Sequence, residues 1–215
     1  KGFLIGATSG RTTLNGEGLQ HQDGHSHILS STIPNCKSYD PAYGYELAVI
    51  IEHGLKEMYK DKKNYFYYLT VTNERYIQPP KPKGNDVDSN IIKGMHRISK
   101  TKKPQIRLLG SGAILNESIK ASEMLSDFGI ESEVWSVSSF NMLRKDGMEV
   151  ENENVKNASN KSKESFVTKS FSEHDIPTVA STDYMRAYSE QIRPYINSPY
   201  YTLGTDGFGR SDSRA

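Results

Sequence analysis

The sequence contains few of the features that mark membrane-spanning or disulfide-stabilised proteins. Its 215 residues include one cysteine, Cys36, so no disulfide can form within the chain. No apolar run approaches the roughly 20 residues that a membrane span needs, and no signal peptide is visible. We therefore expect a cytoplasmic protein, with Cys36 as a buried structural thiol rather than a nucleophile.

An excess of charge of one sign is also missing. The 27 lysines and arginines balance the 26 aspartates and glutamates, which leaves a net charge of +1. Nucleic acid or an anionic membrane surface would call for a basic patch, so we expect neither as a partner. With 35% hydrophobic and 25% charged residues, the chain has a globular composition and room for one large domain or two small ones.

The two ends of the sequence carry few marks of a complete chain. Its first residue is not Met, and a strand-like segment follows almost at once. Its last residues, 211–215, show no pattern of a closing helix or strand. We expect both ends to be cuts through a larger protein.

Strand and helix patterns alternate along the first 80 residues. Residues 2–6 and 64–72 are apolar, aromatic or β-branched and predict strands. Residues 42–60 carry apolar side chains at helical spacing and predict a helix capped by Asp40. Residues 7–32, rich in Gly, Ser, Thr and His, predict a long loop, and loops of that length are usually functional.

The proline-rich segment 78–84 predicts an extended linker, where we place a boundary between domains 1–80 and 81–215. Beyond it the patterns predict strands at 105–109, 133–137, 178–181 and 200–203 and helices at 114–128, 140–146 and 183–196. Residues 149–170 are polar and predict a solvated or partly mobile insert. The alternation predicts two α/β units with largely parallel sheets.

Histidines cluster in the predicted loop. Residues 16–27, GEGLQHQDGHSH, contain His21, His25 and His27 together with Glu17. Imidazole transfers protons near neutral pH and also binds metals, so the cluster predicts a loop built for a ligand or a reaction. A polar surface loop with chance histidines is the plainer alternative.

A metal site is another alternative. The spacing H-x3-H-x-H is similar to the metal-binding loop of dinuclear zinc hydrolases. Those loops continue H-x-H-x-D-H, whereas residues 28–30 here are ILS. The remaining histidines, His53, His96 and His174, are isolated in the sequence and do not complete a metal site. A metal-dependent hydrolase is therefore the less supported hypothesis.

Longer strings of residues are more specific than the histidine spacing. Residues 2–40 resemble the homodimeric, bacterial-type pyruvate dehydrogenases, which use thiamine diphosphate and belong to the transketolase-like superfamily. Further strings resemble the same family in order: DPAYGYE at 40–46, LLGSG at 108–112, STDYM at 181–185 and LGTDGFGRSD at 203–212. The resemblance covers nearly the whole chain and is weakest at 149–170.

The resemblance implies an α/β fold in two parts. Residues 1–80 would be the end of a thiamine pyrimidine-binding domain, and 81–215 a transketolase-like C-terminal α/β domain with a mostly parallel sheet. The cofactors would be thiamine diphosphate and Mg²⁺. The GDG…N motif that binds the diphosphate and the magnesium, and the glutamate that activates the aminopyrimidine ring, do not occur in these residues. The fragment alone is therefore expected to be inactive.

The implied activity is oxidative decarboxylation of pyruvate with reductive acetylation of a lipoyl group. The partners would be a second copy of the protein, dihydrolipoyl acetyltransferase with its lipoyl domain, and lipoamide dehydrogenase. Charge develops on the former keto oxygen, where a nearby donor would stabilise it and relay protons. By its place in the string LQH-x-DG, His21 matches the family's active-site histidine next to the cofactor. Glu17, His25 and His27 are the further catalytic candidates.

Other thiamine enzymes remain alternatives, namely a transketolase or another 2-oxoacid dehydrogenase, as does a non-catalytic interaction module. A transketolase more often carries DGPTH where residues 23–27 here read DGHSH. We expect Arg11 and Asn15 to shape the loop. The charged turn with Asp206, Arg210 and Asp212 is expected to be structural or to contact a second subunit.

Overall fold

The strand-forming segments of the chain assemble into two sheets. The computed structural model describes residues 1–7, 10–13, 21–157 and 162–209. Three strands before residue 72 form one sheet, and five strands after residue 94 form the other. Within the described ranges, no helix combines the length and the apolar character needed to cross a membrane.

The first sheet contains strands β1 (Phe3–Ala7), β2 (Cys36–Tyr39) and β3 (Phe66–Val71). Their order is β1-β3-β2 and both pairs are parallel. The alternation of a strand turns Tyr67 and Leu69 of β3 into the interior, where neither is exposed to solvent. The strands predicted at 2–6 and 64–72 are thus confirmed.

The helix predicted at 42–60 is confirmed in extent but not in its cap. Helix α2 (Gly44–Leu55) continues into one π-helical turn (Lys56–Lys60). The carboxylate of Glu46 reaches back and accepts from the backbone N–H of Tyr43 at 3.0 Å. The prediction that Asp40 caps this helix is wrong, because the helix starts four residues later, its N-cap is Tyr43, and its first N–H, that of Gly44, donates to Gln78.

The second sheet has an almost parallel arrangement. Its strands are β4 (Met95–Ser99), β5 (Ile106–Gly110), β6 (Ser132–Val137), β7 (Thr178–Ser181) and β8 (Tyr200–Leu203). The order is β4-β6-β5-β7-β8, and all neighbours are parallel except β4 and β6. After β5 the chain adds β6 on one side of this strand and later adds β7 on its other side. A topological switch point therefore lies between the carboxyl ends of β5 and β7.

Helices surround the two sheets. In addition to α2 they are α1 (Ser26–Ser31), α3 (Val87–Lys93), α4 (Ile114–Asp127), α5 (Phe140–Lys156), α6 (Phe166–Phe171), α7 (Ala187–Glu190) and a 3₁₀ turn (Arg193–Tyr195). Helix α1 lies inside the segment predicted to be a loop. Its single turn and a half is too short to produce a helical period in the sequence.

Two segments in the second half of the chain differ from the prediction. The solvated insert expected at 149–170 is helical up to Lys156 and again from Phe166, while 158–161 lie outside the described residues. Its polar residues form the exposed end of α5, and composition alone does not separate an exposed helix from a mobile segment. The single helix expected at 183–196 is instead a short helix and a 3₁₀ turn, because Pro194 lacks the N–H that a continuous helix needs.

Each sheet has its own buried core. Tyr39, Ile50 and Tyr67 are fully buried against the first sheet, whereas Leu109 and Phe140 belong to the core of the second. The single cysteine, in β2, is a free and buried thiol, as predicted. Residues 78–84 between the two sheets form neither helix nor strand. The exact domain boundary there remains a prediction.

Candidate active site

The structure places the three clustered histidines in different environments. His21 and His25 are exposed, whereas His27, in α1, is completely buried. Glu17 and Asn15 lie outside the described residues. The cluster therefore consists of two surface imidazoles and one interior imidazole.

Asp23 determines where α1 begins and where His25 stands. Its carboxylate accepts hydrogen bonds from the backbone N–H groups of His25 and Ser26, both at 3.0 Å, and from the Ser26 hydroxyl. A carboxylate in this position satisfies the first N–H groups of a helix. The backbone of His25 is therefore held, and its imidazole lies on the outside.

The imidazole of His27 is enclosed by aromatic rings. It stacks on Tyr188 with centroids 4.8 Å apart and meets the ring of Tyr184 edge-on at 4.7 Å. Burial lowers the pKa of His27 to about 3, although the negative charge of Asp23 acts in the opposite direction. His27 is therefore neutral near pH 7. Its Nε2 lies 2.9 Å from the hydroxyl oxygen of Thr70.

Thr70 links His27 to a buried carboxyl group. Its hydroxyl donates to Asp40 at 2.7 Å, so it accepts from the Nε2–H of His27. Burial raises the pKa of Asp40 to about 7, against the effect of the hydrogen bond from Thr70. The sequence indicated none of these contacts, because His27 lies in α1, Asp40 follows β2 and Thr70 lies in β3.

The backbone of Asp40 joins the two halves of the chain. Its N–H donates to the carbonyl of Ser138 at 2.7 Å, and its carbonyl accepts from the N–H of Gly112 at 3.1 Å. Gly112 has a φ of +50°, and a Cβ there would lie 2.5 Å from a carboxylate oxygen of Asp40. Only glycine fits this close approach without displacing the carboxyl group.

A metal site built on the histidine cluster has no support among the described residues. No group of three or more His, Cys, Asp or Glu side chains in that part of the chain is arranged to hold a metal ion. Nε2 of His27 is engaged with Thr70, and His96, also buried, shares a hydrogen bond with the hydroxyl of Tyr45 at 2.9 Å. The metal-dependent hydrolase hypothesis therefore gains nothing from the geometry.

Two family profiles match the sequence and together cover most of it. Residues 1–79 match the middle domain of the pyruvate dehydrogenase E1 component, and residues 94–215 match the transketolase-like TK C-terminal domain. A pyruvate dehydrogenase E1 component from Pseudomonas aeruginosa is 56% identical over 99% of this chain and 24% of its own length. One from Escherichia coli is 50% identical over 100% of this chain and 24% of its own length. The chain thus spans about a quarter of these curated relatives.

Solved structures share the fold at low sequence identity. A transketolase from Campylobacter jejuni superimposes with a TM-score of 0.68 at 16% identity, over 98% of this chain and 28% of that one. One from Leishmania mexicana gives a TM-score of 0.67 at 14% identity, over 97% of this chain and 26% of that one. These likenesses confirm the predicted transketolase-like α/β fold with mostly parallel strands.

Proposed function

The chain belongs to the transketolase-like family of pyruvate dehydrogenase E1 components, and from this we propose that the whole protein oxidatively decarboxylates pyruvate and reductively acetylates a lipoyl group. The observation that carries the proposal is the match to such components over nearly all of this chain. Because the chain is about a quarter of their length, the activity is assigned to the complete protein.

Family membership implies that the cofactor is thiamine diphosphate. When bound, this group supplies the nucleophilic carbon and the electron sink for loss of carbon dioxide from a 2-oxoacid. The described residues offer no metal-binding group for a magnesium-held diphosphate. We therefore propose that parts of the protein outside this chain hold Mg²⁺ and the diphosphate, and that this chain contributes side chains next to the reacting atoms.

His21 is the side chain that we propose to act on the substrate. Its exposed imidazole can present an N–H to the oxygen where negative charge develops and can pass a proton. His25, also exposed, and Glu17 are second candidates for the same task. His27 has no route to substrate because its ring is fully buried between tyrosines, so its proposed role is to orient the loop.

The activity is tested by measuring carbon dioxide release from pyruvate by the full-length protein with thiamine diphosphate and Mg²⁺. We expect release from pyruvate to exceed release from longer or branched 2-oxoacids. Acetylation of a lipoyl domain supplied as acceptor tests the second half of the reaction. If pyruvate yields no carbon dioxide under these conditions, the proposed function is wrong.

The role of His21 is tested by His21→Ala in the full-length protein. We expect turnover to fall on the order of 100-fold, as when a general acid or an oxyanion donor is lost. His174→Ala is the matched control, because that imidazole lies in the C-terminal domain beside Glu173. Near-normal turnover of His21→Ala would contradict the assignment.

The assembly proposed for the whole protein follows the same reasoning. We propose a homodimer that works with dihydrolipoyl acetyltransferase and lipoamide dehydrogenase, in the cytoplasm. The free thiol of Cys36 is consistent with a reducing compartment. Co-sedimentation of the full-length protein with the acetyltransferase, and its mass in solution, test the partners and the dimer.

A further inference from the structure

We propose that Asp183 of the C-terminal domain is a positioning residue, which holds the backbone at residues 11 and 12 and thereby helps to place His21. The proposal rests on the role of His21 given above. It makes the C-terminal domain a working part of the active site, although the residues proposed for catalysis all lie in the first domain.

Asp183 binds three donors of the first domain. It follows strand β7 and is only 6% exposed. One carboxylate oxygen accepts from the backbone N–H groups of Arg11 and Thr12, at 2.6 and 2.8 Å, and the other accepts from the Thr12 hydroxyl at 2.6 Å. Hydrogen bonds to a charged acceptor are about twice as strong as neutral ones. The backbone at residues 11 and 12 is therefore held firmly.

The residue before these donors is adapted to the carboxylate. Gly10 has a φ of +78°, and a Cβ there would lie 2.4 Å from a carboxylate oxygen of Asp183. Glycine is the residue that combines this conformation with so close an approach. The sequence of the loop and the position of Asp183 are thus matched to each other.

The side chain of Arg11 adds a second attachment. Its guanidinium donates to the carbonyl oxygens of Thr205 and Gly207, both at 2.6 Å, and Arg11 is only 7% exposed. These carbonyls belong to the charged turn around Asp206, which the sequence predicted to be structural or to contact a second subunit. The turn therefore has a structural role, because its carbonyl oxygens accept hydrogen bonds from the guanidinium of Arg11.

The far end of the loop is attached to the same region. The carbonyl of Gly24 accepts from the N–H of Met185 at 3.0 Å. A Cβ on Gly24 would lie 1.9 Å from Nη2 of Arg11, so the guanidinium passes directly over this glycine. We call Asp183, Met185 and the carbonyls of Thr205 and Gly207 the clasp. The clasp holds the chain at residues 11–12 and at Gly24, on both sides of His21.

The location of the clasp has a topological reason. In open α/β sheets, ligands bind in the crevice at the switch point, beyond the carboxyl ends of the strands. Here Asp183 follows β7 and Gly112 follows β5, at the two sides of that crevice. The backbone of the first domain occupies it, at residues 11–12 and at Asp40. A position that binds small molecules in related folds thus binds a loop of the neighbouring domain.

Fixing both ends of a loop matters for catalysis because rate depends steeply on geometry. A displacement of about 1 Å can cost on the order of 100-fold in rate. Removing the carboxylate of Asp183 frees the backbone at residues 11 and 12. His21 would then sample positions away from the substrate, and turnover would fall while the catalytic groups remained present.

The kinetic experiment compares two substitutions at one position in the full-length enzyme. Asp183→Ala removes all three acceptor contacts and should lower kcat on the order of 10- to 100-fold. Asp183→Asn keeps an oxygen for the two N–H groups, and its amide can donate to the Thr12 hydroxyl, so kcat should stay within a few-fold of the parent. Equal kcat values for Asp183→Ala and the parent would overturn the proposal.

A double-mutant cycle separates positioning from general stability. If Asp183 acts through His21, adding Asp183→Ala to His21→Ala should lower kcat by less than about threefold. If the fold-decrease in kcat of the double variant equals the product of the two single decreases, Asp183 does not act through His21. That result would overturn the positioning role and leave the role of His21 intact. A normal kcat for His21→Ala would show that His21 has no catalytic role. Hydrogen exchange at residues 10–25 would then decide whether Asp183 holds this part of the chain.

Hydrogen exchange tests the clasp without reference to activity. In Asp183→Ala, peptides that cover residues 10–25 should exchange faster, whereas peptides of β5 should not change. Asp146→Ala is the matched control, because that carboxylate also accepts from a backbone N–H, of Phe166 at 2.6 Å, and belongs to the C-terminal domain. Unchanged exchange at 10–25 in Asp183→Ala would overturn the clasp.

A milder variant covers the case in which Asp183→Ala does not fold. Thr12→Val removes only the hydroxyl donor and leaves both N–H contacts. It should raise exchange at residues 10–25 and lower kcat by a few-fold, since one of three contacts is lost. Parental exchange at residues 10–25 together with a parental kcat in Thr12→Val would refute the proposal.

Discussion

At the scale of single residues, burial acts in opposite directions on two neighbouring groups. It lowers the pKa of His27 to about 3 and raises the pKa of Asp40 to about 7, because both charged forms lose the solvation of water. Thr70 lies between the two side chains and bonds to both. From about pH 4 to 6.5 both groups are neutral in the folded protein, so Thr70 joins an uncharged imidazole to an uncharged carboxyl group rather than an ion pair.

These two shifts have opposite effects on stability as pH changes. The pKa of His27 is lowered on folding, so its contribution is present above the ordinary value of 6.5 and is lost as pH falls towards 3. The pKa of Asp40 is raised on folding, so its contribution is present below the ordinary value of 3.8 and is lost as pH rises through about 7. Between about pH 4 and 6.5, the increase in the free energy of unfolding with pH due to His27 offsets the decrease due to Asp40.

Single substitutions should expose each slope. The stabilising contribution of Asp40 decreases as pH rises, and Asp40→Asn removes it. The free energy of unfolding should therefore rise with pH between 4 and 6.5 more steeply than in the parent. His27→Gln should change the slope in the other direction. Each change is limited to about 1.4 kcal/mol per pH unit. Denaturant unfolding of the full-length protein over this range provides the measurement, and slope changes of the same sign in both variants would contradict the argument.

At the scale of elements, α5 shows how a helix is recognised by its packing rather than by its composition. Its first half buries Phe140 and Leu143, while its second half is polar and exposed. Gly147 lies where the two halves meet, directly under the ring of Tyr195. The sequence predicted the helix only as far as residue 146, because hydrophobic periodicity disappears where one face no longer meets a core.

The contact at Gly147 gives a test at this scale. In Gly147→Ala the new Cβ would lie 2.1 Å from Cζ of Tyr195, so the ring must move. Overpacking of this kind costs about 1–3 kcal/mol, which exceeds the roughly 1 kcal/mol that alanine adds to helix stability. We expect a lower thermal midpoint. The control Gly44→Ala meets only Gln78, at 3.6 Å, and should be neutral or slightly stabilising.

At the scale of the whole molecule, the two domains are joined by buried polar contacts. Asn141 of α5 donates to the carbonyl of His27 at 2.8 Å and to the hydroxyl oxygen of Ser38 at 2.5 Å, and accepts from Gln191 at 2.7 Å. It is 3% exposed. The geometry of such contacts is specific, so the domains have one defined orientation.

Exchanging one amide for a carboxylate should loosen this junction. Asn141→Asp leaves the carbonyl of His27 facing an oxygen that has no hydrogen to donate, at a cost of about 1–3 kcal/mol, whereas the Ser38 hydroxyl can turn and donate to the new carboxylate. Hydrogen exchange should then rise together at residues 36–41 of the first domain and 138–143 of the second. Asn154→Asp, at the exposed pair with Lys163, is the control and should leave both regions unchanged.

The sequence by itself determined the family and many of the local elements, although not α1 or the break within 183–196. Strands such as 178–181 and 200–203 were predicted with the bounds that the structure shows, because alternating and β-branched residues fix the backbone within a few positions. The long matching strings likewise indicated the transketolase-like fold without any coordinates. The strand-forming patterns and the family strings both consist of residues that are neighbours in the sequence.

The tertiary structure alone decided which of these residues meet. His21 and His27 look equivalent in the sequence, yet one imidazole is exposed and the other fully buried. Asp183 and Arg11 are 172 residues apart, and no local pattern links them. The reason is physical: backbone preference acts over a few residues, whereas burial and hydrogen bonding depend on which distant segments the folded chain brings together.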